Sequence, residues 1–216
     1  MATVLESTVQ AEQKVILLSV TWETYERLLN EHLATSNTRF TYDQGRLEIM
    51  VLSFEHETLK HNLALLFELL AGELEIDVVG AGSTTFRRED KAKGFEPDAS
   101  FYLTNAERVR TLKQIDLTTD PPPELVIEID ISHPSLNKFP IFAALGVLEV
   151  WRCDAAAQVR FFRLSAGNYV AAEESAALPG VTGAFVSRLL AVSQTMKRTD
   201  WLRLVRESVK QPAKDE

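Results

Sequence analysis

Cysteine is almost absent: Cys153 is the only one among 216 residues. A single thiol excludes an internal disulfide and any cysteine-based zinc site. The chain has four histidines and no cysteine cluster to join them, which argues against structural zinc. No apolar run approaches the ~18–20 residues that a membrane span requires. Glycine-rich phosphate loops are missing as well, since Gly80-Ala81-Gly82 lacks both the remaining glycines and the following helix of a dinucleotide fingerprint. Positive charge is in short supply, with 23 Lys and Arg against 31 Asp and Glu and a net charge of −8. Nucleic-acid binders usually present a basic face, so any such surface has to be local. Two stretches qualify, Arg87, Arg88, Lys91 and Lys93, then Arg108, Arg110 and Lys113. Met1–Gln13 is polar with two glutamates and has neither the basic start nor the apolar core of a signal peptide. The expected location is the cytoplasm.

What is present is an ordinary globular composition, 45% hydrophobic and 25% charged. That predicts one domain with a sizeable core. The expected organisation is a loose lead-in over 1–15, a single domain over 16–209 and a disordered tail over 210–216.

The most informative stretch is Leu125–Lys138. Leu125, Ile127, Ile129 and Ile131 alternate with Val126, Glu128 and Asp130, and side chains of a strand point alternately to its two faces. Glu128 and Asp130 therefore share a face, roughly 6.5–7 Å apart. A half-buried strand with its polar face in water is the simplest reading of such alternation. The Ile, Val and Leu content argues instead for a central strand, whose acids must be paired or hold a cation. A turn, Ser132-His133-Pro134-Ser135, then leads to Lys138 at a helix start.

A second acidic strand lies upstream, Gly94–Leu103, where Pro97 suits only a strand start. Asp98, Ser100 and Tyr102 fall on one face of it. Elsewhere, Trp22, Tyr25, Leu28 and Leu29 are spaced for an amphipathic helix. Arg39–Asp43 and Arg46–Leu52 read as a hairpin around a three-residue loop, Asp43-Gln44-Gly45. Leu59, Leu63, Leu66 and Leu70 make the stripe of a long helix over 55–76. Pro140 and Gly146 bracket a short helix, followed by a strand over 148–153 and a hairpin around Ala166-Gly167-Asn168. Residues 187–206 read as helical, broken near 197–199. Strands at 97–103, 125–131 and 148–153 are expected in one sheet with the 55–76 and 140–146 helices on its faces. The strand–helix–strand order predicts parallel pairing of the last two.

Pro97-Asp98, then Glu128-x-Asp130 on a following strand, then Lys138, resembles the PD-(D/E)XK, or restriction-endonuclease-like, nuclease superfamily. Residues 94–103, 123–132 and 138–152, together with Arg46–Met50, His56 and Leu178-Pro179-Gly180, are similar to the Uma-type family of predicted endonucleases. The resemblance implies an α/β (α+β) fold, a mixed sheet flanked by helices. It also implies a divalent-metal site for Mg²⁺ or Mn²⁺ and hydrolysis of DNA. Carried onto this chain, Asp98, Glu128, the Ile129 backbone carbonyl and Asp130 are the metal-site candidates. Lys138 and His56 join the three acids as catalytic candidates. The superfamily's usual lysine lies two residues after the strand glutamate, where this chain has Asp130; Lys138 on the next helix matches the family's replacement. Clustered without a cation, the three carboxylates would repel one another, and a proton or metal must relieve that.

Each residue also has a plainer reading. Lys138 can be a surface lysine at a helix start, and His56 a cap or a satisfied core histidine. Glu48, on the hairpin before the long helix, is a candidate for an additional acid. His61 points to another side of its helix, and Ser132 and Ser135 have no histidine–acid arrangement for a hydrolase triad. Trp151 and Phe161-Phe162 read as core. The leading expectation is a metal-dependent DNA phosphodiesterase acting as a homodimer. The alternatives are a binding module that keeps the nuclease fold and, further off, a carboxylate-pair glycoside hydrolase.

Overall fold

The computed structural model describes residues 13–32, 38–131 and 136–210. All of the expected 210–216 tail but its first residue, which the structure places in a helix, most of the expected lead-in (1–12) and the turn at Ser132–Ser135 with His133 lie outside the described residues. In chain order the elements are β1 (Gln13–Leu17), α1 (Trp22–His32), β2 (Thr38–Asp43), β3 (Arg46–Val51), α2 (Phe54–Glu73), β4 (Val79–Gly80), β5 (Phe86–Arg88), β6 (Lys93–Phe95), β7 (Ala99–Tyr102) and α3 (Ala106–Val109). They continue with β8 (Leu125–Asp130), α4 (Phe139–Leu145), β9 (Glu149–Asp154), β10 (Val159–Ser165), β11 (Asn168–Ala172), α5 (Gly183–Ser193) and α6 (Arg198–Lys210). None of the described helices is long and apolar enough to cross a membrane.

The strands form two sheets. One has six strands in the order β11-β10-β9-β8-β7-β4, the other five in the order β1-β3-β2-β6-β5. β8 lies inside the larger sheet, antiparallel to β7 and parallel to β9. The parallel step needs a crossover, which α4 supplies; Pro140 stands in its first turn and Gly146 ends it at φ 89°. An L-residue with a β-carbon is strained at that φ, so glycine is the residue that closes this helix.

Both faces of β8 are covered, as its apolar content predicts. Leu125, Ile127 and Ile129 join Phe101, Trp151 and Phe161 against α2, α5 and α6. Val126 joins Tyr102 and Val150 against α4 and the edge of the smaller sheet at Phe86 and Phe95. Glu128 and Asp130 share the Val126 face, so they look into the space between the two sheets. α2 begins at Ser53, whose Oγ accepts from the His56 amide. That cap satisfies one of the open N–H groups of the first turn and sets His56 at the sheet end.

Two expectations are corrected. Gln13–Val15, expected as lead-in, is strand: β1 pairs antiparallel with β3 along its whole length. The hairpin loops are shorter than expected, Gln44-Gly45 and Ala166-Gly167, with positive φ at all four residues (48°, 89°, 48° and 82°). That is the turn whose twist matches the flanking strands.

Candidate active site

The site is built where β7 and β8 run side by side. Ala99 stands opposite Ile127, and the next step of this antiparallel register places Asp98 across from Glu128, on the same face. α2 brings in His56, α4 brings in Lys138 and β9 brings in Arg152.

Each of the three acids has a partner from the chain itself. His56 Nε2 lies 2.8 Å from Asp98 Oδ1, with both side chains at 1% exposure or less. The Ile129 amide donates to Asp98 Oδ2 at 2.8 Å. Burial by itself would raise the Asp98 pKa. The His56 hydrogen bond and charge, Lys138 and the Ile129 amide outweigh burial and hold Asp98 below the ordinary carboxylate range. Asp98 is therefore a carboxylate, and His56 Nε2–H donates to it.

Lys138 Nζ donates to Glu128 Oε2. Burial pushes Glu128 up to about 7; Lys138 opposes this and the Asp98 charge adds to it. Burial works against the Lys138 ammonium, but Glu128 and Asp98 win and hold its pKa above the ordinary lysine value. Arg152, which stands beside Glu128 in the parallel register, donates to Asp130 Oδ2. Repulsion among the acids, expected from sequence to need a proton or a metal, is met in this fold by three cationic or proton-donating side chains.

Among the three acids one buried oxygen remains unsatisfied. Glu128 Oε1 is buried and has no hydrogen-bond partner among the described residues. A buried carboxylate oxygen left in that state costs about 1–3 kcal/mol or more. Glu128 is also among the residues that line a cavity of about 480 Å³ between the two sheets, with Lys14, Glu48, Asp130, Lys138 and Arg152. Met50, Phe139 and Phe142 supply its apolar wall. Among the described residues no three His, Cys, Asp or Glu side chains converge as a ready-made metal cage. Mg²⁺ rarely uses one, since it keeps several waters and takes one or two carboxylates.

Lys14 and Arg152 were not singled out from sequence. Lys14 lay in the expected lead-in, although Lys14 and Ile16 alternate with Val15 and Leu17 as a strand would. Glu48, weighed there as a further acid, is buried at the cleft and its charge bears on Lys138. His61 is exposed on α2, away from the site.

The sequence profile of the Uma2 family, described as "putative restriction endonuclease", matches residues 22–189. The chain belongs to this family. Among solved structures it is similar to a "putative nuclease belonging to DUF820" from Anabaena variabilis ATCC 29413, at 15% identity and a TM-score of 0.51. That match covers 75% of this chain and 98% of the other. At such low identity the likeness concerns the fold. No curated protein matches the chain.

For a Uma2 member, the basic stretches expected to meet nucleic acid are heavily neutralised. Arg87 pairs with Glu26 at 2.9 Å, Arg88 with Asp90 at 2.7 Å and Arg110 with Asp77 at 2.5 Å. Lys93 pairs with Asp43, and Lys91 donates to the Ala144 carbonyl. Arg108 donates to the Thr119 carbonyl at 2.6 Å. These are neighbour-held charges more than an open phosphate track. The cations at the cleft are the ones placed beside the acids.

Proposed function

We propose that this chain is a divalent-metal-dependent endonuclease that hydrolyses DNA phosphodiester bonds at the cleft between its two sheets. The observation that carries this reading is the unsatisfied, buried Oε1 of Glu128, a residue lining a cavity that is also lined by two lysines and an arginine. A carboxylate oxygen in that state fits Mg²⁺ or Mn²⁺. Glu128 would hold the ion, with Asp98, the Ile129 carbonyl and Asp130 beside it. When bound, the ion would polarise a phosphoryl oxygen and acidify a water.

The remaining chemistry belongs to the side chains. Lys138, held charged by Glu128 and Asp98, is placed to stabilise the charge that grows on phosphate or to orient the attacking water. Water oxygen bonds to phosphorus as the bond to the leaving sugar oxygen breaks. His56 touches neither group; it acts through Asp98, fixing that carboxylate's orientation and ionised state. Arg152 pairs with Asp130 at the rim and fixes that side chain's position.

Calorimetric titration of Mn²⁺ into the protein, alongside plasmid nicking, tests the proposal. Saturable binding that Glu128→Gln removes, together with nicking that it also removes, is the expected result. A second reading, a binding module that keeps the fold, draws on the acids' internal partners and the neutralised basic stretches. It takes over if the wild-type protein binds no divalent ion and nicks nothing.

A further inference from the structure

We infer that β1 is the self-association edge of this protein and that a second copy of the chain pairs with it antiparallel. The four sheet ends differ in kind. β4 has two residues and β5 three, the latter carrying Arg87 and Arg88. Short or charged edges of that sort resist pairing with another chain. β11 is longer but exposes one large apolar side chain, Val170. β1 is an end strand of five residues, and the face turned away from the cleft is open at two apolar side chains, Val15 at 55% exposure and Leu17 at 39%; Leu18, just beyond the strand, is 70% exposed.

The strand is complementary to itself. A twofold centred on Ile16 sets Val15 opposite the partner copy's Leu17 and Leu17 opposite its Val15, so the exposed apolar side chains cover one another. Lys14 then faces Leu18 of the other copy, and no like charges meet. The outward backbone N–H and C=O groups of β1 supply the hydrogen bonds. A heterologous partner would have to match this pattern separately, whereas a second copy matches it by symmetry.

The geometry also bears on the cleft. Opposite residues on paired strands share a face, so Lys14, opposite Met50, and Ile16, opposite Glu48, lie on the cleft side of β1. A twofold relating antiparallel strands stands perpendicular to the sheet. The two clefts would open on the same side of one continuous sheet, beside the axis. This consequence rests on the nuclease reading, but the pairing does not.

Sedimentation velocity across a concentration series tests the pairing without any cleavage assay. The wild-type protein is expected to dimerise in the micromolar range, as suits a small interface. Val15→Lys/Leu17→Lys should raise the dissociation constant at least about tenfold by setting like charges across the axis, while Val170→Lys should leave it unchanged. Val15→Thr/Leu17→Thr keeps the strand preference and should weaken the dimer in the same direction, which covers the case of a lysine variant that fails to fold. Ile16→Cys should form an intermolecular disulfide under mild oxidation and Leu18→Cys should not, since the proposed register places Ile16 on the axis. A wild-type monomer at hundreds of micromolar, a dimer indifferent to the β1 variants, or one dissociated by Val170→Lys would each overturn the inference.

Discussion

Removing His56 is the most direct probe of the buried acid pair. His56 and Asp98 are within 2.8 Å and essentially sealed from solvent. In His56→Ala the Asp98 carboxylate would keep the Ile129 amide but lose its closest charge-stabilising partner. Breaking a buried pair by deleting one member costs about 3–5 kcal/mol, most of it the burial of the charge left behind. Asp98→Ala instead leaves two donors unsatisfied, the His56 ring N–H and the Ile129 N–H, at about 1–3 kcal/mol each. The double variant removes the orphaned charge and the orphaned ring together. Its cost should therefore fall short of the sum by about 1–3 kcal/mol. Urea unfolding followed by circular dichroism at neutral pH measures all three. The pH dependence has a definite sign. A carboxyl held below its unfolded value contributes stability above that value, ~3.9 for Asp, and loses it as pH falls through the lower folded pKa. Without His56 the folded pKa of Asp98 rises, so the deficit of His56→Ala should shrink toward acid pH. A loss under ~1 kcal/mol, or single effects that add within ~0.5 kcal/mol, would refute the coupled-pair account.

Three further outcomes follow from the same geometry. Lys138→Met leaves Glu128 buried without its cation, so that carboxyl, already pushed up to about 7, rises further. The fold should persist while nicking drops at least ~100-fold; a wild-type nicking rate would remove Lys138 from the mechanism. Gly94→Ala would set a methyl 2.4 Å from Tyr25 Oη and 3.1 Å from Arg87 Cβ. Tyr25 is fully buried and stacked on Tyr42 at 4.8 Å, so it cannot swing aside, and thermal unfolding should report a loss of about 1–3 kcal/mol. Trp201→Ala removes a fully buried ring and its 2.8 Å hydrogen bond to the Leu189 carbonyl. It should cost about 3–5 kcal/mol, with hydrogen exchange rising first in α6; unchanged exchange there would mean that α6 is held by other contacts.

Local pattern alone determined a good deal of this protein. Alternation in Leu125–Ile131 marked a strand covered on both faces, and the same period put Asp98 and Glu128 on matching sides of their strands. The leucine stripe announced α2, Pro140 and Gly146 bounded α4, and the strand–helix–strand order announced a parallel β8–β9 pair. Such features are legible because side-chain direction repeats with a short period and because proline and glycine act on their own backbone. Tertiary structure decided the partners. Periodicity states which face a side chain occupies but not what stands across from it. Hence Arg152 for Asp130, His56 for Asp98 and Lys14 at the cleft wall emerged only when register and sheet order brought distant segments together. The partners of the basic stretches were hidden for the same reason: Glu26, Asp43 and Asp77 pair with Arg87, Lys93 and Arg110 from far along the chain. Which oxygen among three carboxylates is left without a partner is set by all of those contacts at once, and no window of sequence contains them.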